Sequence, residues 1–174
     1  MMRITTKFGD RGKTRLCDGR TVPKCDPRIR AQGALDELIS FLGLAKAKIK
    51  DQAVKKKIRL IQSDLFRITA YISSGGKGAK GSAIKDNDIR MLEYFGDMIE
   101  GRVRMPKAFV IPGTNERSAV LHVARAVSRR AECCVAELKR KFKIDACTLA
   151  YLNRLSDLLF ILAVYEEGKS DLLK

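Results

Sequence analysis

Apolar residues return at helical intervals along five successive stretches of this 174-residue chain. That pattern restricts the fold to packed helices. Between Arg28 and Lys50 they fall at Ala31, Leu35, Leu38, Leu42, Ala45 and Ile49, in alternating steps of four and three that make one seam. Asp26 and Pro27 stand just before it as a cap and a first-turn proline. A second seam runs through Ile58, Ile61, Leu65, Ile68 and Ile72, and stops at Ser73-Ser74-Gly75-Gly76, where a Gly/Lys/Ser loop to Ser82 is expected. A third helix is predicted from Asp86 to Glu100, through Ile89, Leu92 and Phe95. Pro106 and Pro112 then bracket Lys107-Ala108-Phe109-Val110-Ile111, which is expected to be extended because a residue before proline avoids the helical region. A fourth helix is predicted from Glu116 to Phe142, with its seam at Val120, Ala124, Val127, Ala131, Val135 and Leu138. A fifth, from Ala146 to Glu167, is apolar almost all round and is expected at the centre of the bundle or against a neighbouring subunit. The sum is an all-α five-helix bundle over residues 28–174, with an irregular N-terminal arm over residues 1–27. The whole chain reads as a single domain, with short connections that favour antiparallel neighbours and no strand pairing.

Composition narrows the function. No run of about 18 apolar residues is present, so neither a transmembrane helix nor a membrane partner is expected. The start, Met1 to Lys7, lacks the apolar region of a secretory signal. The five cysteines, an odd number without zinc-site spacing, read as reduced thiols in a cytoplasmic protein. The net charge of +15 implies attraction to an anion, whether nucleic acid, an anionic surface or a phosphorylated metabolite. Lys55-Lys56-Lys57 and Lys139-Arg140-Lys141 are expected on exposed helix faces and count as solvated charge rather than as a site.

Three groups of residues carry chemistry. The arm reads Thr6-Lys7-Phe8-Gly9-Asp10-Arg11-Gly12-Lys13-Thr14-Arg15, in which glycines admit close backbone approach and Lys7, Lys13, Lys24, Thr6 and Thr14 supply donors. That is phosphate-cradle chemistry, without the spacing of a Walker A loop. On the fourth helix Arg125, Arg129 and Glu132 share a face, and Arg129 and Glu132 are placed to pair. On the fifth, Asn153, Arg154, Ser156 and Asp157 interrupt the apolar run, which fits a structural network and a ligand site equally. Asp36 flanks the first seam within reach of an arginine. His122, the sole histidine, reads as packed or capping rather than as a metal ligand. Neither a Ser-His-Asp nor a Cys-His arrangement is evident.

Four motifs, taken together, closely resemble the PduO-type ATP:cob(I)alamin adenosyltransferases. They are Thr6-Lys-Phe-Gly-Asp-Arg-Gly-Lys-Thr14, Gly33-Ala-Leu-Asp36-Glu-Leu, Leu121-His-Val-Ala-Arg125-Ala-Val-Ser-Arg129-Arg-Ala-Glu132 and Asn153-Arg-Leu-Ser-Asp157-Leu-Leu-Phe160, in the family's order and spanning nearly the whole chain. The resemblance implies a homotrimer with sites between adjacent subunits. Thr6, Lys7, Phe8, Gly9, Thr14, Arg15 and Lys24 of one arm would hold ATP. Arg129, Arg130, Ala131, Glu132, Cys133 and Asn153 would complete the site, with Arg129, Glu132 and Asn153 closest to the chemistry. Asp36 and Arg125 match a salt bridge across the subunit interface, and Phe109 matches an aromatic that helps displace the lower ligand of the corrinoid.

The implied reaction moves the 5′-deoxyadenosyl group of ATP to Co(I) of a reduced corrinoid such as cob(I)alamin, with triphosphate as leaving group. Mg²⁺ is expected through the ATP phosphates, with no metal ligand from the protein. A reductase and a B12-dependent acceptor enzyme are the implied protein partners. The chain departs from the family at Cys133, where many members carry arginine. It departs again at Pro112-Gly113-Thr114-Asn115, where they carry Pro-Gly-Gly-Thr and where threonine would resist a positive φ. The competing reading is a basic helical nucleic-acid-binding protein. It has the charge in its favour, and against it the lack of a helix-turn-helix signature and the scarcity of stacking aromatics.

Overall fold

The computed structural model describes residues 5, 7–76 and 83–171, with side chains through residue 168. The expected Gly/Lys/Ser loop lies mostly outside the described residues, at 77–82. The chain forms five helices: α1 (Pro27–Lys48), α2 (Gln52–Ser73), α3 (Asp86–Glu100), α4 (Glu116–Leu138) and α5 (Ala146–Asp171). The all-α bundle expected from the spacing is therefore present, and α3 has the predicted bounds. Local chemistry starts these helices where the sequence signals them. The Asp26 carboxylate accepts from the Arg28 N–H, with Pro27 in the first turn. Asp51 caps α2 through the N–H groups of Ala53 and Val54, and Asn115 caps α4 through those of Arg117 and Ser118.

Three expectations are corrected. The arm is not wholly irregular: a 3-10 turn (Phe8–Arg11) leads into a short antiparallel hairpin, β1 (Lys13–Arg15) with β2 (Thr21–Pro23). Three-residue strands are too short to show alternation, so they left no periodic signal. Helix α4 stops at Leu138 rather than Phe142, because the last apolar seam contact is Leu138 and the following Lys139, Arg140 and Lys141 are solvated. A third correction concerns Lys57, which is buried. Its ammonium donates to the Met91 carbonyl at 2.7 Å and faces the Phe95 ring at 5.5 Å. Desolvation pushes its pKa below the usual lysine value.

The helices pack as a ring in the order α2–α1–α4–α5–α3. Side-chain bonds from α2 to α3 (Arg67 to Asp88, 3.1 Å) and from α2 to α5 (Tyr151 to Asp64, 2.9 Å) close it. Helix α1 runs antiparallel to α4, since Arg30 meets Glu137 at one end and Lys48 meets Glu116 at the other. Helix α5 is antiparallel to α4 and parallel to α3, as Asn153–Glu132 with Arg117–Glu166 and Asp86–Cys147 with Glu93–Arg154 establish.

The core holds the predicted seams, including Leu35, Leu38, Leu42, Ile58, Ile61, Leu65, Leu121, Ala124, Leu155 and Leu159. By length and composition alone Ala146–Gly168 would pass for a membrane span, with a hydropathy of 1.4; the bundle instead uses it as a packed helix, 56% of that window being buried. The five cysteines are all free.

Candidate active site

The N-terminal arm collects cations around a tight turn. Lys7 adopts the left-handed conformation (φ 57°), and it is the sole non-glycine residue with positive φ among the described residues. Such a backbone state costs on the order of 1 kcal/mol or more and is found at ligand clamps. The 3-10 turn that follows brings Phe8 under the Arg15 guanidinium, 5.0 Å from the ring centroid. A Cβ placed on Gly9 would lie 3.0 Å from the Lys24 ammonium, so that ammonium is held over the turn. The Lys24 N–H also donates to the Gly12 carbonyl at 2.8 Å. Thr14 pairs with Val22 across the hairpin. Arg15 with Phe8, and Lys24 with Gly9, thus gather about the turn that Lys7 opens; Thr6 lies outside the described residues. The hairpin is fixed to the bundle by Cys17, whose N–H donates to the Ser73 hydroxyl at 3.0 Å. Just after the hairpin, Arg28 in the first turn of α1 is clamped by Asp26 and stacked on Phe142 at 4.7 Å.

The second constellation lies between α4 and α5. Asn153 donates from Nδ2 to Glu132 Oε1 at 3.4 Å and accepts from Arg154 Nη1 at 3.0 Å. Arg125, Arg129, Ser156, Asp157 and Phe160 line one recess of about 320 Å³, with Glu100, Met105 and Ile161. The two polar clusters read from the sequence therefore face each other across the α4–α5 seam. The expected Arg129–Glu132 pair does not form: Arg129 is exposed and makes no ion pair among the described residues. Arg130 turns the other way, onto Glu37 of α1. Ala131 points into the core, and Cys133 is exposed.

Asp36 and Arg125 do not meet within the chain. Asp36 is exposed, while Arg125 is half-buried and its Nε has no hydrogen-bond partner among the described residues. Phe109 is fully exposed (103%). The turn at 112–115 is unstrained at threonine: Gly113 takes the positive φ (118°), Thr114 does not, and Asn115 caps α4. No hydrogen bond or ion pair among the described residues joins the hairpin to Arg129, Glu132 or Asn153. Among the described residues no cluster of three His, Cys, Asp or Glu side chains is placed to hold a metal.

Sequence reasoning missed several polar contacts. Asp64, Arg67, Asp88 and Tyr151 form one network across α2, α3 and α5. Glu93 anchors Arg154 at 2.9 Å. Glu166, 1% exposed, receives Arg117 at 2.7 Å. Apart from Asp64 and Arg67, which are three apart on α2, the partners lie tens of residues away, so no local spacing announces them. His122 is packed, as expected, edge-on to Phe160 and 3.4 Å from Glu167.

A five-helix bundle with a cation-rich arm and an open polar strip between α4 and α5 matches one known class. Residues 4–166 match the family model for cobalamin adenosyltransferase. A corrinoid adenosyltransferase of Citrobacter freundii is 38% identical over 173 residues, covering 98% of both chains. The same organism's corrinoid adenosyltransferase PduO is 36% identical over 168 residues, and the match spans about half (50%) of its length. A variant of the PduO-type ATP:corrinoid adenosyltransferase from Lactobacillus reuteri, complexed with cobalamin and ATP, superposes with a TM-score of 0.90 at 32% identity, covering 97% of this chain and 93% of that one. The chain belongs to the cobalamin adenosyltransferase family.

Proposed function

We infer that this protein transfers the 5′-deoxyadenosyl group of ATP to the Co(I) centre of a reduced corrinoid, giving adenosylcobalamin and triphosphate. The observation that carries the reading is the open α4–α5 strip. It presents Arg129, Glu132 and Asn153 together beside a recess walled by Phe160. In the reaction a Co–C5′ bond forms as the C5′–O bond of ATP breaks, and the electron pair leaves with triphosphate. Co(I) is the nucleophile, so the protein supplies none. Its task is to hold the nucleotide and to meet the growing charge on the leaving group with fixed donors. Lys7, Arg15 and Lys24 of the arm and Arg129 of α4 suit that task, and Mg²⁺ would enter bound to the phosphates rather than to the protein.

Among the described residues no hydrogen bond or ion pair links the arm to the strip, which supports a homotrimer whose site takes the arm of one subunit and the α4–α5 strip of the next. The half-buried Arg125, lacking a partner for its Nε, supports a bond to Asp36 of the neighbouring subunit. Phe109, standing free on its extended segment, suits a ligand wall contributed where subunits meet. Thr6, Arg130, Ala131 and Cys133 are assigned to the nucleotide site by their place in the motifs. A cytoplasmic setting, a reductase that delivers Co(I) and an acceptor that uses the adenosylated product complete the proposal. No specific observation favours nucleic-acid binding.

Single-turnover spectroscopy tests this with chemically reduced cob(I)alamin, Mg²⁺ and ATP, following formation of the Co–C bond. Conversion that needs both ATP and protein is expected. Tight ATP binding by an intact trimer, with no conversion, would overturn it.

A further inference from the structure

We propose that Arg154, anchored by Glu93 on α3, is a positioning residue that fixes which end of the Asn153 amide faces Glu132 and the substrate. The inference rests on the reading above that Asn153 belongs to the adenosyl-transfer site. Four side chains form a line across three helices. Glu93 Oε1 accepts from Arg154 Nε at 2.9 Å. Arg154 Nη1 donates to Asn153 Oδ1 at 3.0 Å. Asn153 Nδ2 donates to Glu132 Oε1 at 3.4 Å. Arg154 also lies 3.5 Å from Asp157 Oδ2, one turn further along α5.

The chemistry of the two neighbours sets the orientation of the amide. A guanidinium has only donors, and an ionised carboxylate only acceptors. An amide between them therefore has one favourable arrangement, with oxygen toward Arg154 and nitrogen toward Glu132. The flipped amide would set N–H against N–H at one side and oxygen against carboxylate at the other. Without Arg154, only the 3.4 Å contact to Glu132 would hold Asn153, near the outer limit for such a bond. Asn153 is exposed, so burial does not lock its terminal amide. The Nδ2 group carries two N–H bonds, and Glu132 takes one, which directs the other to an acceptor on the nucleotide.

Glu93 makes the arrangement rigid. Arg154 Nη1 is shared: it lies 3.0 Å from Asn153 Oδ1 and 3.5 Å from Asp157 Oδ2 on its own helix, so a further shift toward Asp157 would lengthen the bond to Asn153. The bond from Nε to Glu93 pins the base of the guanidinium to α3, so that Nη1 is left pointing at the amide. Arg154 and Glu93 are each nearly half exposed (47% and 43%), so the pair contributes little to folding. An effect on function without an effect on stability separates positioning from scaffolding.

A double-mutant cycle is the test, made in the full-length protein with kcat, KM for ATP, the ATP dissociation constant and the thermal midpoint read for each variant. Arg154→Leu is expected to lower kcat about tenfold, within the range for directly coupled neighbours, with an unchanged thermal midpoint. In an Asn153→Ala background the same change is expected to have no further effect. Glu93→Ala, which leaves every α5 side chain in place, should give a smaller loss that also vanishes in that background. Losses that add in the double variants would overturn the proposal, as would an Arg154→Leu protein of wild-type kcat. If wild-type protein fails to transfer the adenosyl group, the reading of function falls. The cycle on the ATP dissociation constant still decides the coupling: non-additive losses sustain positioning, and additive or absent ones refute it.

Discussion

The Tyr151 hydroxyl donates to Asp64 Oδ2 at 2.9 Å and so joins α5 to α2 beneath the bundle surface. Tyr151 has no exposed surface, and Asp64 is itself held by Arg67, which reaches on to Asp88 and the Ala83 carbonyl. Burial, followed by the nearby Asp64 carboxylate, drives the phenol pKa well above its usual value, so the hydroxyl stays a donor. Tyr151→Phe removes that donor and leaves Asp64 with Arg67. A loss of about 1 to 2 kcal/mol is expected in denaturant unfolding, with the transfer reaction intact. Unchanged stability would mean the bond contributes nothing net.

His122 makes stability depend on pH. Burial is the main cause of its lowered pKa, Arg125 adds to it, and the Glu167 carboxylate opposes both. The folded protein thus holds this ring neutral at pH values where the unfolded chain, near the ordinary 6.5, takes up a proton. Its contribution is fully present above 6.5 and is lost as pH falls from there through the lowered folded value. Thermal midpoints should decline as pH falls below 6.5, and His122→Gln should flatten that decline. An identical slope in the variant would exclude His122 as the cause.

Phe109 separates stability from chemistry. Its side chain is wholly exposed, so Phe109→Ala should change unfolding free energy by less than about 0.5 kcal/mol. The same variant should slow Co–C bond formation while ATP affinity is kept. Wild-type turnover in Phe109→Ala would remove it from the site.

Arg125 and Arg129 lie one turn apart on α4 and line the same recess, yet they should fail differently. Arg129→Ala is expected to abolish saturable ATP binding while the oligomer persists in analytical ultracentrifugation. Arg125→Ala and Asp36→Ala are expected to shift the trimer toward monomer, and a combined variant to be no worse than either alone, as for two halves of one bond. Trimers of wild-type strength in both single variants would sink the interface assignment.

The helices were legible because they are apolar at helical spacing, and Asp26 with Pro27 marked the start of α1, while the caps at Asp51 and Asn115 emerged only in the structure. The hairpin was not legible, since two strands of three residues are held by backbone pairing and a few burials, Leu16 and Val22 among them, that leave no period. Lys57 was misjudged for a related reason. A lysine within a basic run looks solvated until α3 covers it and offers the Met91 carbonyl.

The amino-acid sequence by itself determined the number, order and faces of the helices, the cationic chemistry of the arm and the family to which the chain belongs. The helices follow from short-range spacing, because each residue's place on a helix is set by neighbours three and four positions away, whereas the arm's chemistry follows from its residue types and the family from the resemblance of four motifs. Tertiary structure alone decided that Arg129 makes no ion pair among the described residues, that Arg130 turns to Glu37, and that Glu93 reaches across from α3 to Arg154. Those outcomes depend on which helices become neighbours and at what register. Packing of the whole apolar core sets both, and the partners it brings together lie far apart in the chain.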